Sequence, residues 1–370
     1  MRGDVVGDHP HLPDYDGACV SNVVPALLGH GDAPSWFPSA ALDARQVVLF
    51  VLDGLGWPQL RARRPLAPVL CSLEGSAISS VVPSTTATAL TSIATGLSPA
   101  EHGVLGYRVS VGGEVLNVLR WTTPSGDARR VIDPVGFQPQ PAFLGQRPPI
   151  VTKAEFVSSG FSGAHLADVR FNGYRVPSTL VTEVGRLLGA GEPFVYAYYD
   201  GIDKVAHEYG LGEHYDAELR AADRLVGDLL EVLPPGASLV VTADHGQVHV
   251  GSRVVALHAE VQAHVSYQSG EGRFRWLHAR PGRAAALHSA ALACHGELAW
   301  VRTVDETIDE GWWGGPLAAD VRTRLGDVAL AARDDVAFTD PADTGPFTLI
   351  GRHGSLTEAE MLVPLLAGTR

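Results

Sequence analysis

The sequence predicts an α/β fold with a mostly parallel central sheet and a smaller subdomain inserted towards its C-terminal end. Three near-continuous apolar runs carry this prediction, and each ends at an aspartate close to a glycine: QVVLFVLDG, FVYAYYDG and SLVVTADHG. Runs of this kind are typical of parallel strands that are buried on both faces. The segment EHYDAELRAADRLVGDLLEVL lies between the second and third runs and has apolar residues at helical spacing. Strands that alternate with such helices form a parallel sheet covered on both sides.

The composition is that of a globular protein and excludes several classes. The chain has 370 residues and a formal net charge of −13, which argues against binding a nucleic-acid polymer. No apolar run is long enough to span a membrane, and the first residues lack the apolar core of a signal peptide, so we expect no membrane association and a cytoplasmic location. The three cysteines, at positions 19, 71 and 294, indicate neither a disulfide framework nor a metal knuckle. The oligomeric state stays open.

The pattern changes between residues 252 and 340, where no further strand ends in Asp-Gly. We therefore predict a main catalytic domain formed by residues 1–251 and 341–370 and an inserted cap subdomain formed by residues 252–340. The cap is expected to roof the substrate pocket. Its aromatic residues either stack on a substrate base or, more commonly for any single one, pack the subdomain core; they are Trp276, Trp300, Trp312 and Trp313.

Acids and histidines cluster at the predicted strand ends. Asp53 follows the first strand, Asp244 and His245 end the third, and Asp203 and His207 are four residues apart, on one face if the segment is helical. His353 lies in a loop near the C terminus. Ligands of parallel sheets bind at the carboxyl ends of the strands, so these side chains are expected to meet. Mixed carboxylate and imidazole ligands suit Zn²⁺, with Mn²⁺ or Fe as alternatives.

Five motifs in this order resemble the alkaline phosphatase superfamily, and in particular its nucleotide pyrophosphatase/phosphodiesterase branch. They are VLDG, PSTTATALTSIATGLSPAEHG, DKVAHEYG, TADHG and RHG, and they span residues 51–354. The family pattern has a threonine three residues after a proline, and Pro83 leads to Thr86 at that offset. The resemblance implies an alkaline-phosphatase-like three-layer α/β/α sandwich.

The resemblance also implies the reaction. Thr86 would be the nucleophile and become transiently phosphorylated or nucleotidylated, in a phosphodiesterase or nucleotide pyrophosphatase acting on a small phosphorylated substrate such as a nucleotide. Two divalent metal ions, zinc by preference, would be held by two sets of ligands. The first set is Asp53, Thr86, Asp244 and His245, and the second is Asp203, His207 and His353.

The sequence departs from the branch at one position. An Asn that often follows the HG of the second motif is replaced by Tyr107, so Tyr107, Arg108 or Asn117 is expected to contact the phosphoryl oxygens instead. Arg108 and Arg170 are candidates for the clamp that a dianionic monoester would need. The alternatives to a diesterase are a phosphomonoesterase or phosphonate hydrolase that uses the same site, and an inactive metal-binding module.

Two further residues near the motifs have other expected roles. His102 is expected to be structural. Asp200 is a candidate for a supporting position behind the metal ligands.

Overall fold

The computed structural model describes residues 9–29, 34–343 and 348–370. The strands in chain order are β1 (Gln46–Leu52), β2 (Glu74–Ser79), β3 (Arg108–Val111), β4 (Glu114–Asn117), β5 (Thr122–Thr123), β6 (Gly126–Asp127), β7 (Pro149–Lys153), β8 (Arg170–Tyr174), β9 (Phe194–Tyr199), β10 (Ala237–Thr242), β11 (Val248–His249), β12 (Val254–Val255), β13 (Val265–Gly270), β14 (Phe274–Ala279), β15 (Ala299–Thr303), β16 (Val328–Ala332), β17 (Ala337–Phe338), β18 (Gly351–Arg352) and β19 (Leu362–Thr369).

The helices lie between these strands. In chain order they are α1 (Val23–Leu28), α2 (Trp57–Ala62), α3 (Thr86–Thr95), α4 (Pro99–His102), α5 (Pro134–Phe137), α6 (Gly160–His165), α7 (Pro177–Gly189), α8 (Gly201–Tyr209), α9 (Glu213–Glu231), α10 (Ala259–Gln262), α11 (Ala284–His295), α12 (Val304–Asp309), α13 (Ala319–Arg322) and α14 (Glu358–Met361).

A seven-stranded sheet forms the centre of the molecule, in the order β2-β19-β10-β1-β9-β7-β8. Strands β10, β1, β9, β7 and β8 are parallel, and β19 runs antiparallel to both of its neighbours. Every residue of β10 is buried, as is nearly every residue of β1. Because successive side chains of a strand point to opposite faces, both faces of the sheet must be covered. The predicted α/β fold with a mostly parallel sheet is confirmed.

The sheet also explains why the strand-end residues meet. The three strands predicted from the sequence are the adjacent parallel strands β10, β1 and β9, so their carboxyl ends lie side by side. The chain turns sharply after β1 at Gly54, which has a φ of +78° and whose added Cβ would lie only 3.0 Å from the Cα of Asp203. A glycine after Asp53 thus lets the end of β1 approach helix α8 closely.

The segment predicted as an insertion contains a second sheet, with the strand order β13-β14-β16-β15. Strand β12 at its start pairs with β17 near its end, so the two ends of the segment lie side by side. The boundaries of a separate cap subdomain stay a prediction. The four tryptophans considered for base stacking are at most 5% exposed. They share one apolar cluster, which also includes Val82 and Leu105 of the main domain. They pack the core and do not offer a face to a substrate base.

No helix within the described ranges is long and apolar enough to cross a membrane. The cytoplasmic location stays a prediction.

Candidate active site

The first group of candidate ligands gathers at the ends of β1 and β10. His245 Nε2 lies 3.4 Å from Asp53 Oδ1 and 3.5 Å from Asp244 Oδ2, and all three side chains are almost fully buried. Asp53 Oδ1 and Asp244 Oδ2 accept no hydrogen bond from any described residue. Buried carboxylate oxygens without a partner are costly, and a bound cation would satisfy them.

The second group lies on α8 and in the loop after β18. Asp203 and His207 are one helical turn apart, as predicted, and His207 Nε2 lies 3.3 Å from Asp203 Oδ1. His353 Nε2 lies 3.7 Å from the same carboxylate oxygen. The rings of His245 and His353 stack at a centroid distance of 3.5 Å, which joins the two groups into one site.

The hydrogen bonds of the three histidines fix which ring nitrogen faces the site. Each Nδ1 lies within 3.0 Å of a backbone carbonyl, that of Gly351 for His207, Gly246 for His245 and Ser84 for His353. A carbonyl only accepts, so each Nδ1 carries a proton, and in the neutral imidazole each Nε2 then presents a lone pair. The Nε2 atoms of His207 and His353 are 3.3 Å apart. Two lone pairs at that distance repel each other, and a cation between them removes the repulsion. Backbone carbonyls that orient imidazoles in this way are typical of metal sites.

The pKa values of the buried groups point to the same need for positive charge. Burial raises the pKa of Asp53 well above its ordinary value, and the neighbouring carboxylates of Asp244 and Asp203 raise it further. Burial, together with the neighbouring imidazoles, holds the pKa of His353 well below its ordinary value. Divalent ions would reverse the effect on the carboxylates and bind the neutral imidazoles. The residues present therefore fit a metal site.

Among the hydroxyl side chains of the motif PSTTATALTSIATG, that of Thr86 reaches this site. It is the first residue of α3, and its Oγ1 lies 3.1 Å from His245 Nε2. Thr91 and Thr95 instead donate to backbone carbonyls of their own helix. Helix α3 begins directly after the N-cap residue Thr85.

His102 has the structural role that was expected of it. Val104 N–H donates to His102 Nδ1 at 3.0 Å, and Nε2 lies 2.8 Å from Ser92 Oγ, so both nitrogens are used within the fold. Burial, foremost, lowers the pKa of His102 to about 3.

The residues predicted to contact the phosphoryl oxygens lie together on the β3–β4 hairpin. Asn117 Nδ2 donates to Tyr107 Oη at 2.7 Å. The Arg108 guanidinium pairs with two carboxylates, Asp340 and Asp343. Substrate contacts by these three residues stay a prediction.

Arg170 lies elsewhere. It is the first residue of β8, at the opposite end of the strand from the site, and its guanidinium makes a bidentate pair with Glu192. The expectation that Arg170 clamps a monoester is therefore wrong, because the site lies at the carboxyl ends of the parallel strands.

A cavity of about 230 Å³ opens beside Thr86 and Asp53. Apolar side chains form much of its wall: Leu90, Leu119, Phe156, Phe161, Leu166 and Tyr196. Every described residue that lines it lies between residues 53 and 204, so the expectation that residues 252–340 roof the pocket is wrong for this cavity. Part of this wall comes from the turn after β4 and from the loops and short helices after β7, which have no sequence periodicity; the rest comes from α3 and β9.

An aspartate in the wall of the cavity pairs with two lysines, one of which also lines the cavity. Asp200 is 4% exposed, and its carboxylate is bridged by Lys153 at 2.7 Å and by Lys204 at 2.8 Å. Asp200 and Lys204 line the cavity together with Asp203. Asp200 was predicted to support the metal ligands, whereas neither lysine was predicted; the VTK that ends β7 was the available signal.

The β13–β14 turn also reaches the site, through Glu271. The Thr85 side chain donates a hydrogen bond to Glu271, and burial, foremost, raises the pKa of this carboxyl to about 8. Gly354, the residue after His353, packs so closely against Glu271 that an added Cβ would lie 2.7 Å from its Cδ. Glu271 thus touches the neighbours of both Thr86 and His353.

A buried threonine beside converging carboxylates and imidazoles, at the carboxyl edge of a parallel sheet, has the features of a metal-dependent hydrolase. The chain belongs to the type I phosphodiesterase/nucleotide pyrophosphatase family, whose model matches residues 47–186 and 191–356. It is accordingly a hydrolase of phosphoric ester bonds in the alkaline phosphatase superfamily, from a metal-dependent family. No curated protein sequence matches the chain.

Solved structures share the fold. Murine ectonucleotide pyrophosphatase/phosphodiesterase 5 superposes with a TM-score of 0.68 at 16% identity, and the match covers 88% of each chain. An inactive threonine-to-alanine variant of that protein, in complex with AMP, gives 0.67 at 15% identity over the same shares. Phosphonoacetate hydrolase from Sinorhizobium meliloti 1021, in complex with phosphonoacetate, gives 0.63 at 18% identity and covers 88% of this chain and 91% of its own.

Proposed function

We propose that the chain is a two-metal phosphodiesterase or nucleotide pyrophosphatase that works through a covalent intermediate on Thr86. The main support is the position of Thr86 Oγ1, 3.1 Å from His245 Nε2 and in the wall of the cavity that Asp53 also lines. A threonine hydroxyl is a weak nucleophile until its pKa is lowered. Two divalent ions would supply that Lewis acidity and stabilise the attacking and leaving oxygens of an in-line displacement.

The two ions would be divided between the two groups of ligands. Asp53, Thr86, Asp244 and His245 would hold one, and Asp203, His207 and His353 the other. The orphaned carboxylate oxygens support the first assignment, and the facing Nε2 lone pairs support the second. Zn²⁺ is the first choice for this mixture of nitrogen and oxygen ligands, with Mn²⁺ or Fe as alternatives.

The chain's own residues would carry the reaction in two displacements. Thr86 Oγ1 attacks phosphorus, the bond from phosphorus to the leaving oxygen breaks, and the phosphoryl or nucleotidyl group stays on Thr86. Water then attacks the same phosphorus and returns the threonine hydroxyl. The position of Thr86 in the first turn of α3 favours both steps, because a helix N-terminus stabilises nearby negative charge.

The charge of the site favours a phosphodiester. Two divalent ions would supply four positive charges. The three aspartates, Asp53, Asp203 and Asp244, together with a Thr86 alkoxide would supply four negative charges, so no net positive charge would remain to hold a dianion. The two arginines considered as clamps are occupied, Arg108 by two aspartates and Arg170 by Glu192. A phosphodiester monoanion, such as a nucleotide ester, is therefore the proposed substrate.

The lysine pair favours a second candidate, a phosphonate hydrolase or phosphomonoesterase. Lys153 and Lys204 together carry one positive charge more than Asp200 neutralises. Lys204 lines the cavity, so this charge would attract an additional anionic group of the substrate.

A comparison of substrates decides between these candidates. The zinc-loaded protein is assayed with an aryl phosphodiester, the matching aryl phosphomonoester and phosphonoacetate. We expect kcat/KM for the diester to exceed the other two by about tenfold or more, since tenfold corresponds to about 1.4 kcal/mol of transition-state stabilisation. A higher kcat/KM for the monoester or for phosphonoacetate would refute the diester assignment.

A trapping experiment tests the covalent intermediate separately. Acid quenching during turnover, followed by peptide mass spectrometry, should find the adduct on the peptide that contains Thr86. An adduct elsewhere would refute the nucleophile assignment and leave the substrate comparison intact.

A further inference from the structure

Three metal-binding side chains meet on the segment 252–340, away from the candidate active site. His258 is the N-cap of α10, Glu260 lies in its first turn, and Cys294 lies in the last turn of α11. Cys294 Sγ is 3.4 Å from His258 Nδ1 and 3.7 Å from Glu260 Oε2. One ligand atom of each of the three residues lies within 4.8 Å of the other two. The candidate ligands thus come from two different helices.

The distances match those of one tetrahedral zinc ion. Zn–S bonds of about 2.3 Å, Zn–N bonds of about 2.05 Å and Zn–O bonds of about 2.1 Å at tetrahedral angles separate sulfur from nitrogen by about 3.5 Å and sulfur from oxygen by about 3.6 Å. The separations of 3.4 and 3.7 Å differ from these values by about the tolerance expected of a metal site. The two separations from Cys294 Sγ are therefore those expected of two ligand pairs around one zinc ion.

The backbone that carries these ligands is held in place. His258 N–H donates to His295 Nε2 at 3.1 Å, which ties the start of α10 to the end of α11. His295 is buried, and its ring packs edge-on against Phe338 at a centroid distance of 5.4 Å. Ligands fixed in this way by their surroundings lose little conformational entropy when a metal binds.

The arrangement does not suit nucleophilic catalysis. A cysteine activated by a relay has the imidazole between the thiol and the acid. Here the Glu260 carboxylate faces the thiol directly, with Oε2 3.7 Å from Cys294 Sγ. The thiol contacts both the imidazole and the carboxylate, and one ligand atom of each of the three groups lies within 4.8 Å of the other two.

We propose that His258, Glu260 and Cys294 form a second metal site, which binds Zn²⁺ or another thiophilic divalent ion independently of the active-site ions. The fourth position would be filled by water, as in open zinc sites. The Cys294 proton is released to solvent on binding, so the affinity rises with pH. Hard ions such as Mg²⁺ would not compete, because they avoid thiolate. The ion would cross-link α10 to α11.

Cobalt titration of the full chain tests the proposal, because a thiolate–Co²⁺ charge-transfer band reports a sulfur ligand and no cysteine lies among the proposed active-site ligands. We expect the band in the wild type and in the matched control Cys71→Ser, and its loss in Cys294→Ser and His258→Ala. Excess Mg²⁺ should leave the band unchanged. A wild type without the band, or a Cys294→Ser variant that keeps it, would overturn the proposal.

Zinc content and activity complete the test. After equilibrium dialysis, Cys294→Ser should hold one zinc equivalent less than the wild type and the Cys71→Ser control, while hydrolysis of an aryl phosphodiester at saturating zinc stays unchanged. Equal zinc content in all three proteins would also overturn the proposal. Loss of activity together with zinc would show that Cys294 serves the active site, which contradicts an independent site.

Discussion

Replacing Thr86 with alanine is expected to remove the chemistry while keeping the fold and the metal. Thr86 is the first residue of α3 and is 8% exposed. Alanine has the higher helix propensity, so the helix itself is not weakened. Removing the hydroxyl leaves Asp53, Asp244 and His245 for one ion and the complete second group for the other. We therefore expect unchanged metal content and a shift in melting temperature of only a few degrees.

The expected loss of activity follows from the contact that disappears. Thr86 Oγ1 is the hydroxyl within 3.1 Å of His245 Nε2, so the variant has no oxygen to form the covalent intermediate. Loss of a nucleophile lowers kcat by up to about 10⁶-fold in enzymes with such intermediates. We expect at least about 10³-fold here, which corresponds to about 4 kcal/mol of transition-state stabilisation.

The matched control is Thr88→Val in the same helix. The Thr88 hydroxyl is fully buried and has no hydrogen-bond partner in the part of the chain that the structure describes, and valine has nearly the same shape. Its activity should stay within about twofold of wild type, with equal or higher stability. Steady-state hydrolysis of an aryl phosphodiester and metal analysis are measured on both variants. Near-wild-type turnover by Thr86→Ala would refute the reasoning, and loss of a metal equivalent would refute the claim that the remaining ligands suffice.

Three further predictions concern the surroundings of the site. Lys204→Met should lower kcat/KM for phosphonoacetate by about threefold to tenfold more than for an aryl phosphodiester, because it removes a charge beside the cavity; equal losses would contradict this. Arg273→Met should lower the free energy of unfolding in urea by about 3–5 kcal/mol, because it strands the fully buried carboxylate of Glu360, and adding Glu360→Gln should recover part of that loss; a cost below about 1 kcal/mol for the single variant would contradict it. The folded protein, in which His102 has a pKa of about 3, binds fewer protons than the unfolded chain, so the free energy of unfolding decreases as pH falls below about 6.5, and the loss is about 2 kcal/mol at pH 5; a His102→Gln variant whose urea stability depends on pH as steeply as that of the wild type would contradict this.

The centre of the fold could be predicted from the sequence because buried parallel strands have a direct local signal. The three apolar runs correspond to β1, β9 and β10 within about one residue at each end, which is the usual precision for such boundaries. The prediction that their following residues meet also holds, since Asp53, Asp244 and His245 lie within a few ångströms. Because these strands are adjacent and parallel, their carboxyl ends lie side by side.

The walls of the site could not be predicted in the same way. Phe156, Phe161 and Leu119 come from short elements whose apolar residues follow no period, and they form one surface only after the chain has folded. The partners of Arg108 lie more than two hundred residues away, at Asp340 and Asp343, and nothing local to Arg108 indicates them. Contacts of single residues that depend on distant partners therefore could not be predicted from the sequence, whereas the meeting of side chains at adjacent strand ends could.

The place of β19 in the sheet has a consequence for the order in which the molecule is assembled. Strand β2 joins the sheet through β19, which in turn pairs with β10, so β2 has no neighbour in this sheet until β19 has been synthesised. His353 lies shortly before β19, which begins at Leu362, and is synthesised at about the same time. During translation, β2 therefore has no neighbouring strand in this sheet, apart from the single bridge of Ser79 to Cys19, while β1, β9 and β10 can already associate. A nascent chain would complete its sheet and gain its last proposed metal ligand in the same late stage of synthesis.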